Sequence, residues 1–133
     1  MARFTTTHRL RFNDTDRLGH VNNAVFAVML EQGRSELAVA AGLPIAGNGQ
    51  ALVIVRLELD FVREMGWPGD VQVETWVERL GERSIRLRQE LIHAGEVCGR
   101  ALTILVVLDR ATGRAAPLAP DWRIAMAEWL EAD

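Results

Sequence analysis

The chain has 133 residues, a formal net charge of −3, an isoelectric point near 5.6, and 49% hydrophobic against 25% charged residues. That length and balance predict one globular domain over residues 1–133. The acidic charge excludes the electrostatic attraction on which non-specific nucleic-acid binding relies, and no apolar run approaches the roughly 18 residues that span a bilayer, so neither nucleic acid nor membrane is an expected partner.

In chain order, residues 4–12 set Phe4, Thr6, His8, Leu10 and Phe12 against Thr5, Thr7, Arg9 and Arg11, the two-residue alternation of a strand. A polar stretch, Asn13 to Asn23, precedes a helix expected from about Ala24 to Ala41, with Phe26, Leu30, Gly33, Leu37 and Ala41 on one stripe. Glycine inside a helix costs about 1 kcal/mol relative to Ala. Its place on the buried stripe predicts that another backbone comes close there, with the helix pressed on a sheet. Gly42 and Pro44 are the stop signals.

The remainder reads mostly as strand. Ala51 to Val62 sets Val53, Val55, Leu57, Leu59 and Phe61 against Arg56, Glu58 and Asp60, and Val71 to Val77 repeats the pattern with Gln72 and Glu74 outward; both are expected half-buried. Ser84 to Ile92 turns Arg86, Arg88 and Glu90 outward. Ala101 to Leu108 is almost continuously apolar, which predicts a central strand covered on both faces. The links at 80–83 and 93–96 are short enough for hairpins, so the sheet is expected to be an antiparallel meander. Pro120-Asp121 opens a last amphipathic helix carrying Trp122, Met126, Trp129 and Leu130. Strand, long helix, four strands and short helix make an α+β domain.

Several chemistries are absent by composition. All 15 basic residues are Arg and there is no Tyr, which rules out Schiff-base lysines, phosphate-loop lysines and a tyrosine acid. The one cysteine, Cys98, lies in an apolar stretch and reads as a packing residue; it cannot form an intrachain disulfide or a thiolate cluster.

The densest polar cluster is Asn13-Asp14-Thr15-Asp16-Arg17-Leu18-Gly19-His20-Val21-Asn22-Asn23, directly before the long helix. A helix start leaves about four backbone N–H groups without internal partners and favours negative charge. Thioester hydrolysis needs an attacking group, which a carboxylate supplies as nucleophile or as base on water, and donors aimed at the carbonyl oxygen as it gains charge. Both are within one turn of chain here. Asp14 reads as a turn residue, and Asn22 suits a helix cap. His8 and His93 fall in strand patterns and read as structural, and Asp14, Asp16 and His20 lack further ligands for a metal.

The run Asp14-Thr15-Asp16, then Gly19-His20-Val21-Asn22-Asn23, then Glu31 and Arg34 resembles the signature of 4-hydroxybenzoyl-CoA-thioesterase-like hotdog proteins. The likeness covers the whole chain, with Pro68-Gly69-Asp70, Gly81-Glu82-Arg83-Ser84 and residues 109–113 at similar turns. It implies a hotdog fold, an antiparallel sheet wrapped around the long helix, with Asp16 as the catalytic carboxylate and the Asn23 N–H polarising the thioester. His20 matches a catalytic position of the similar plant acyl-ACP thioesterases, although Leu18 stands where those carry asparagine. Phe26 stands where relatives commonly carry tyrosine.

The same resemblance implies substrate contacts at Asn22, Glu31, Arg34, Arg83 and Ser84, with Arg83 toward the CoA phosphates and Glu31 as the reserve carboxylate. It also implies active sites at a subunit interface, hence a homodimer or homotetramer. The expected protein is a cytoplasmic acyl-CoA thioesterase that needs neither cofactor nor metal. An acyl-ACP thioesterase and a non-catalytic acyl-CoA-binding module are the alternatives.

Overall fold

The computed structural model describes residues 2–43 and 49–131. Its elements are β1 (Phe4–Arg9), a short 3-10 turn (Phe12–Asp14), α1 (Asn23–Ala40), β2 (Gln50–Phe61), β3 (Asp70–Leu80), β4 (Ser84–His93), β5 (Glu96–Asp109) and α2 (Pro120–Ala127). The strands form one antiparallel sheet in the order β1-β3-β4-β5-β2. With α1 packed across one face of that sheet, against β1, β3 and β4, the arrangement is the hotdog fold.

Local chemistry explains the boundaries. Asn22 caps α1, its side chain accepting from Ala24 N–H at 2.8 Å. At the other end Gly42 adopts φ +73°, and the N–H groups of Leu43 and Gly42 donate back to Ala38 and Val39, a Schellman stop. Pro44 lies outside the described residues. The β4–β5 hairpin turns on Ala94 and Gly95, both at positive φ, the twist that a two-residue hairpin loop demands.

Gly33 is buried at the centre of α1, and the reason is a close approach of helix to sheet. A Cβ there would lie 2.6 Å from Val73 Cγ1 and 3.2 Å from Gln89 Nε2. Beneath it, Thr75 on β3 faces Gln89 on β4 in the strand register, and both are buried. These polar residues separate two apolar clusters. One, around Phe26, Leu30, Val73 and Leu91, lies toward the β1–α1 loop; the other, around Leu37, Val77, Leu87 and Trp122, lies toward the β3–β4 hairpin.

Expectations for four of the elements are corrected. The first strand ends at Arg9, and Phe12 enters the 3-10 turn, 71% exposed, rather than joining the core side. In β2 a bulge at Val55 changes the phase of the alternation. Leu52, Ile54, Leu57, Leu59 and Phe61 therefore share the face of Leu105 and Thr103, while Val53 turns to the other side. That strand is also largely exposed rather than half-buried, because it is a sheet edge with nothing beyond it.

The central strand is β4, not the apolar β5, which begins earlier than expected, at Glu96, and lies between β4 and β2. Its outward residues Ile104 and Val106 are only half-buried. Finally, α2 stops at Ala127, so Trp129 and Leu130 follow the helix: Trp129 meets Phe4 edge-on, and Leu130 bridges to Val77.

Gly33→Ala tests the close approach by the sign of its effect. Helix propensity alone would stabilise by about 1 kcal/mol, whereas the clash with Val73 is expected to destabilise by about 1–3 kcal/mol. A lowered urea midpoint in the alanine variant is the expected result.

Candidate functional site

The β1–α1 loop folds around its two carboxylates, which have different jobs. Asp14 is 2% exposed. It accepts the backbone N–H of Arg11 at 2.8 Å and the Arg11 guanidinium at 3.1 Å, while its own carbonyl oxygen accepts the N–H of the helix cap Asn22. Burial pushes the Asp14 carboxyl up. The Arg11 N–H, the Arg11 guanidinium and His8 outweigh it, and the net effect holds the group below the ordinary carboxylate range. Asp14 thus fastens the end of β1 to the start of α1.

Asp16, by contrast, is exposed at the head of a tight reversal. Its Oδ1 accepts Leu18 N–H at 2.9 Å and His20 N–H at 3.4 Å; its main-chain N–H donates to His20 at 2.8 Å. Gly19, at φ +82°, makes the reversal accessible to the backbone. Both side-chain bonds fall on Oδ1, so the second oxygen is available to a ligand.

The loop docks on the segment that follows β2. Val21 N–H donates to Met65 at 2.8 Å, His20 bridges to Gly66, and His20 Nε2 lies 3.1 Å from Glu64 Oε2. Between loop and segment is a cavity of about 290 Å³ bordered by Asp16, His20, Asn23, Phe26, Phe61 and Glu64. Phe26 and Phe61 meet edge-on at 5.0 Å and supply an apolar wall. Asn23 is the first residue of α1, so its N–H has no acceptor within the helix and lies at the positive end of the dipole. A carboxylate oxygen, a free N–H at a helix start and an apolar wall around one cavity form a site suited to a carbonyl compound that gains negative charge.

The sequence-expected residues divide into three groups. Asp16, His20, Asn22 and Asn23 come together at this loop. Glu31 and Arg34 lie further along α1, bordering a separate groove with Leu52, Ile54 and Leu105. Arg83 and Ser84 sit on the β3–β4 hairpin; since β1 places the loop beside Asp70, the length of β3, about 30 Å at strand rise, separates them from Asp16. One copy of the chain does not bring them together.

Glu64, Phe61 and Arg63 border the cavity without having been singled out, because the segment reads as strand end and turn. Gln89 was missed too. Its signal was legible: a polar residue in phase with the buried Ile85, Leu87 and Leu91. Cys98 is buried beside β4 with its thiol pushed up by burial, as a packing residue. His8 stands 4.0 Å from Asp14, and His93 bonds the Asp70 carbonyl, both away from the cavity. Among the described residues no three His, Cys, Asp or Glu side chains are grouped to hold a metal ion.

The sequence profile of the thioesterase-like superfamily matches residues 10–130, which includes the loop, the cavity wall and the whole sheet beyond β1. The chain belongs to that superfamily. A predicted thioesterase from Bacillus stearothermophilus is 33% identical over 99% of each chain, with a TM-score of 0.90. Two more distant structures share the fold. A 1,4-dihydroxy-2-naphthoyl-CoA thioesterase from Synechocystis is 22% identical, with a TM-score of 0.88 over 96% of this chain and 97% of its own. A Staphylococcus aureus protein solved in complex with CoA is 13% identical, with a TM-score of 0.90 over 96% and 84%. No curated protein matches the chain. The superfamily profile names no acyl group, so the 4-hydroxybenzoyl likeness is a finer matter than membership.

Asp14→Asn probes the loop's anchor. A carboxyl whose folded pKa is depressed stabilises the fold above its unfolded value, about 4, and that contribution is lost as pH falls through the lower folded value. The variant is expected to lose about 1–3 kcal/mol at neutral pH. The difference from wild type should vanish in denaturation curves taken progressively below pH ~4.

Proposed function

We propose that this chain is an acyl-CoA thioesterase, hydrolysing a thioester to a free acid and CoA. The observation that carries the reading is the pairing, around one cavity, of the exposed Asp16 carboxylate with the free N–H at the start of α1. Membership of the thioesterase-like superfamily supports it. So do the CoA bound by the Staphylococcus aureus protein and the CoA ester named for the Synechocystis enzyme.

In this reading the thioester carbonyl points its oxygen at Asn23 N–H. Asp16 then attacks the carbonyl carbon, or takes a proton from a water that does. The carbonyl π electrons move to oxygen, where the N–H and the helix dipole hold the charge. Collapse expels CoA as thiolate; if Asp16 attacked, water hydrolyses the resulting anhydride and frees the carboxylate. Thioesters have little resonance stabilisation, so no triad is required. Bonds from Leu18 and His20 N–H fix Oδ1 of Asp16, and the His20–Glu64 contact braces the loop.

The working unit is a homodimer, alone or within a homotetramer. In the single chain β2 is a bare edge whose Ile54, Val55, Leu57 and Phe61 are 46%, 58%, 39% and 51% exposed, an edge that proteins otherwise cover. Pairing of two β2 strands about a two-fold axis reverses one against the other. The Gln50 end of one copy then meets the Phe61 end of its mate. Arg83, whose carbonyl accepts Val107 N–H next to Leu52, belongs to the Gln50 end. A second copy would bring its Arg83 and Ser84 toward this cavity, where an arginine fork suits CoA phosphates. No helix among the described residues is long and apolar enough to cross a membrane, and we take the cytoplasm, where CoA esters are made, as the location.

Thiol release from short, long and aromatic acyl-CoAs tests the chemistry. Asp16→Asn is expected to lower kcat about 100-fold or more with the fold and oligomer size kept. Undiminished turnover would move the role to another group, and no turnover by wild type would favour a carrier-protein substrate or a binding module. Leu57→Asp, in the middle of the bare edge, is expected to give a folded monomer by analytical ultracentrifugation with turnover lost; an active monomer overturns the shared site.

A further inference from the structure

Gln89 is 1% exposed, and every polar end of its amide is engaged. Its Nε2 donates to the Leu30 carbonyl and to Thr75 Oγ1, both at 3.0 Å, while its Oε1 accepts Arg34 Nη1 at 3.2 Å. The two donations to fixed groups set the amide's orientation. The amide oxygen in turn fixes the guanidinium, so Arg34 is held from below by the sheet rather than left to swing in solvent.

That held guanidinium borders a groove of about 360 Å³ between α1, β2 and β5, within the range of small-molecule sites. Ala38, Leu43, Leu52, Ile54 and Leu105 give it apolar walls, and Glu31 and Ser35 of α1 complete the lining beside Arg34. Burial pulls the Arg34 guanidinium down from its ordinary value; Glu31, one turn earlier, opposes this through space but is exposed and makes no contact ion pair with it. Of five N–H donors, one has a partner among the described residues. Two residues from Leu105 on the same face of β5, Thr103 is buried with its hydroxyl unpartnered among the described residues. A half-buried, oriented cation with no contact counter-ion among the described residues, set beside apolar walls, complements a ligand that is apolar along its length and anionic at its tip.

We infer that this groove receives the far end of the acyl group and that Arg34, positioned by Gln89, selects acyl groups ending in a carboxylate, the monothioesters of dicarboxylic acids. The inference rests on the thioesterase reading for the meaning of the acyl group. Its geometry agrees with the paired edge strands: Leu52 and Ile54 lie at the end of β2 that the two-fold turns toward the mate's Asp16 cavity. Within one copy the helix separates Asn23 from Arg34 by about 16 Å.

Binding of non-hydrolysable thioethers tests the inference apart from turnover. S-hexyl-CoA and S-dodecyl-CoA, each with a terminal methyl or a terminal carboxylate, are titrated calorimetrically into the wild-type oligomer, Arg34→Met and Arg34→Lys. At one chain length or the other, wild type is expected to favour the carboxylate end by about tenfold or more. Arg34→Met should lose that preference, the carboxylate-ended analogue weakening more than the methyl-ended one, and Arg34→Lys should keep part of it. Equal binding of both ends by wild type, or a preference that survives in Arg34→Met, overturns the assignment. Thiol release separates the two ideas: wild-type turnover without a carboxylate preference overturns the groove's role alone, and a carboxylate preference without turnover overturns the thioesterase reading alone.

Discussion

The contact on which the rest of the structure depends is the approach of α1 to the sheet at Gly33. No side chain larger than hydrogen fits between the helix backbone and Val73, and the space next to it is taken by the Gln89 amide. Gln89 reaches a helix carbonyl, Leu30, that already belongs to the helical ladder, and so ties helix and sheet together by a polar contact as well as by packing. A buried amide left without partners would cost about 1–3 kcal/mol. The helix position and the Gln89 rotamer therefore specify each other. This fixes where along the sheet the helix lies and, through it, where its N-terminus points.

From that anchor the site follows. The start of α1 is held by its cap Asn22 and by Asp14 beneath the loop, so the free N–H at Asn23 has a defined direction relative to the sheet. Asp16 is then presented on a five-residue reversal whose own N–H groups occupy one carboxylate oxygen. Two aspartates two residues apart thus take opposite parts. Asp14 is buried, depressed in pKa and structural; Asp16 is exposed, with an oxygen to spare, and is the one that can meet a ligand. On the outer face of the sheet Arg3 covers Trp76 and binds Glu74 and Glu90, and Arg86 and Arg88 share Glu78. Such exposed pairs add little stability each, but they contrast with Arg34, which faces a groove and has an amide for a partner.

Much of this was legible in the chain. The order of elements, the helix stop at Gly42, the two short hairpins and the approach at Gly33 follow from local rules: periodicity, left-handed turn residues and the missing Cβ. The motif at residues 13–23 identified the loop that the fold brings to the helix start. What was misread depended on neighbours in space. Ile54, Val55 and Leu57 look like buried strand residues because an apolar alternation does not say whether a second layer is present. The bulge at Val55 reversed half of that alternation, and a single inserted residue leaves no mark in composition.

The sequence by itself determined the α+β class, the position of a carboxylate-bearing loop before a helix, and the exclusion of lysine, tyrosine and intrachain disulfide chemistry, because these depend on residue identity and short-range spacing. Only the tertiary structure decided which strands are neighbours, that β4 and not β5 is central, and that Glu64 meets His20. It also decided that Arg34 is fixed by Gln89, a contact spanning 55 residues, and that Arg83 stands at the far end of the sheet from Asp16. The physical reason is range. Periodicity and turn chemistry act over a few residues, whereas strand order, register and the burial of a guanidinium depend on contacts between segments whose separation along the chain carries no local signal.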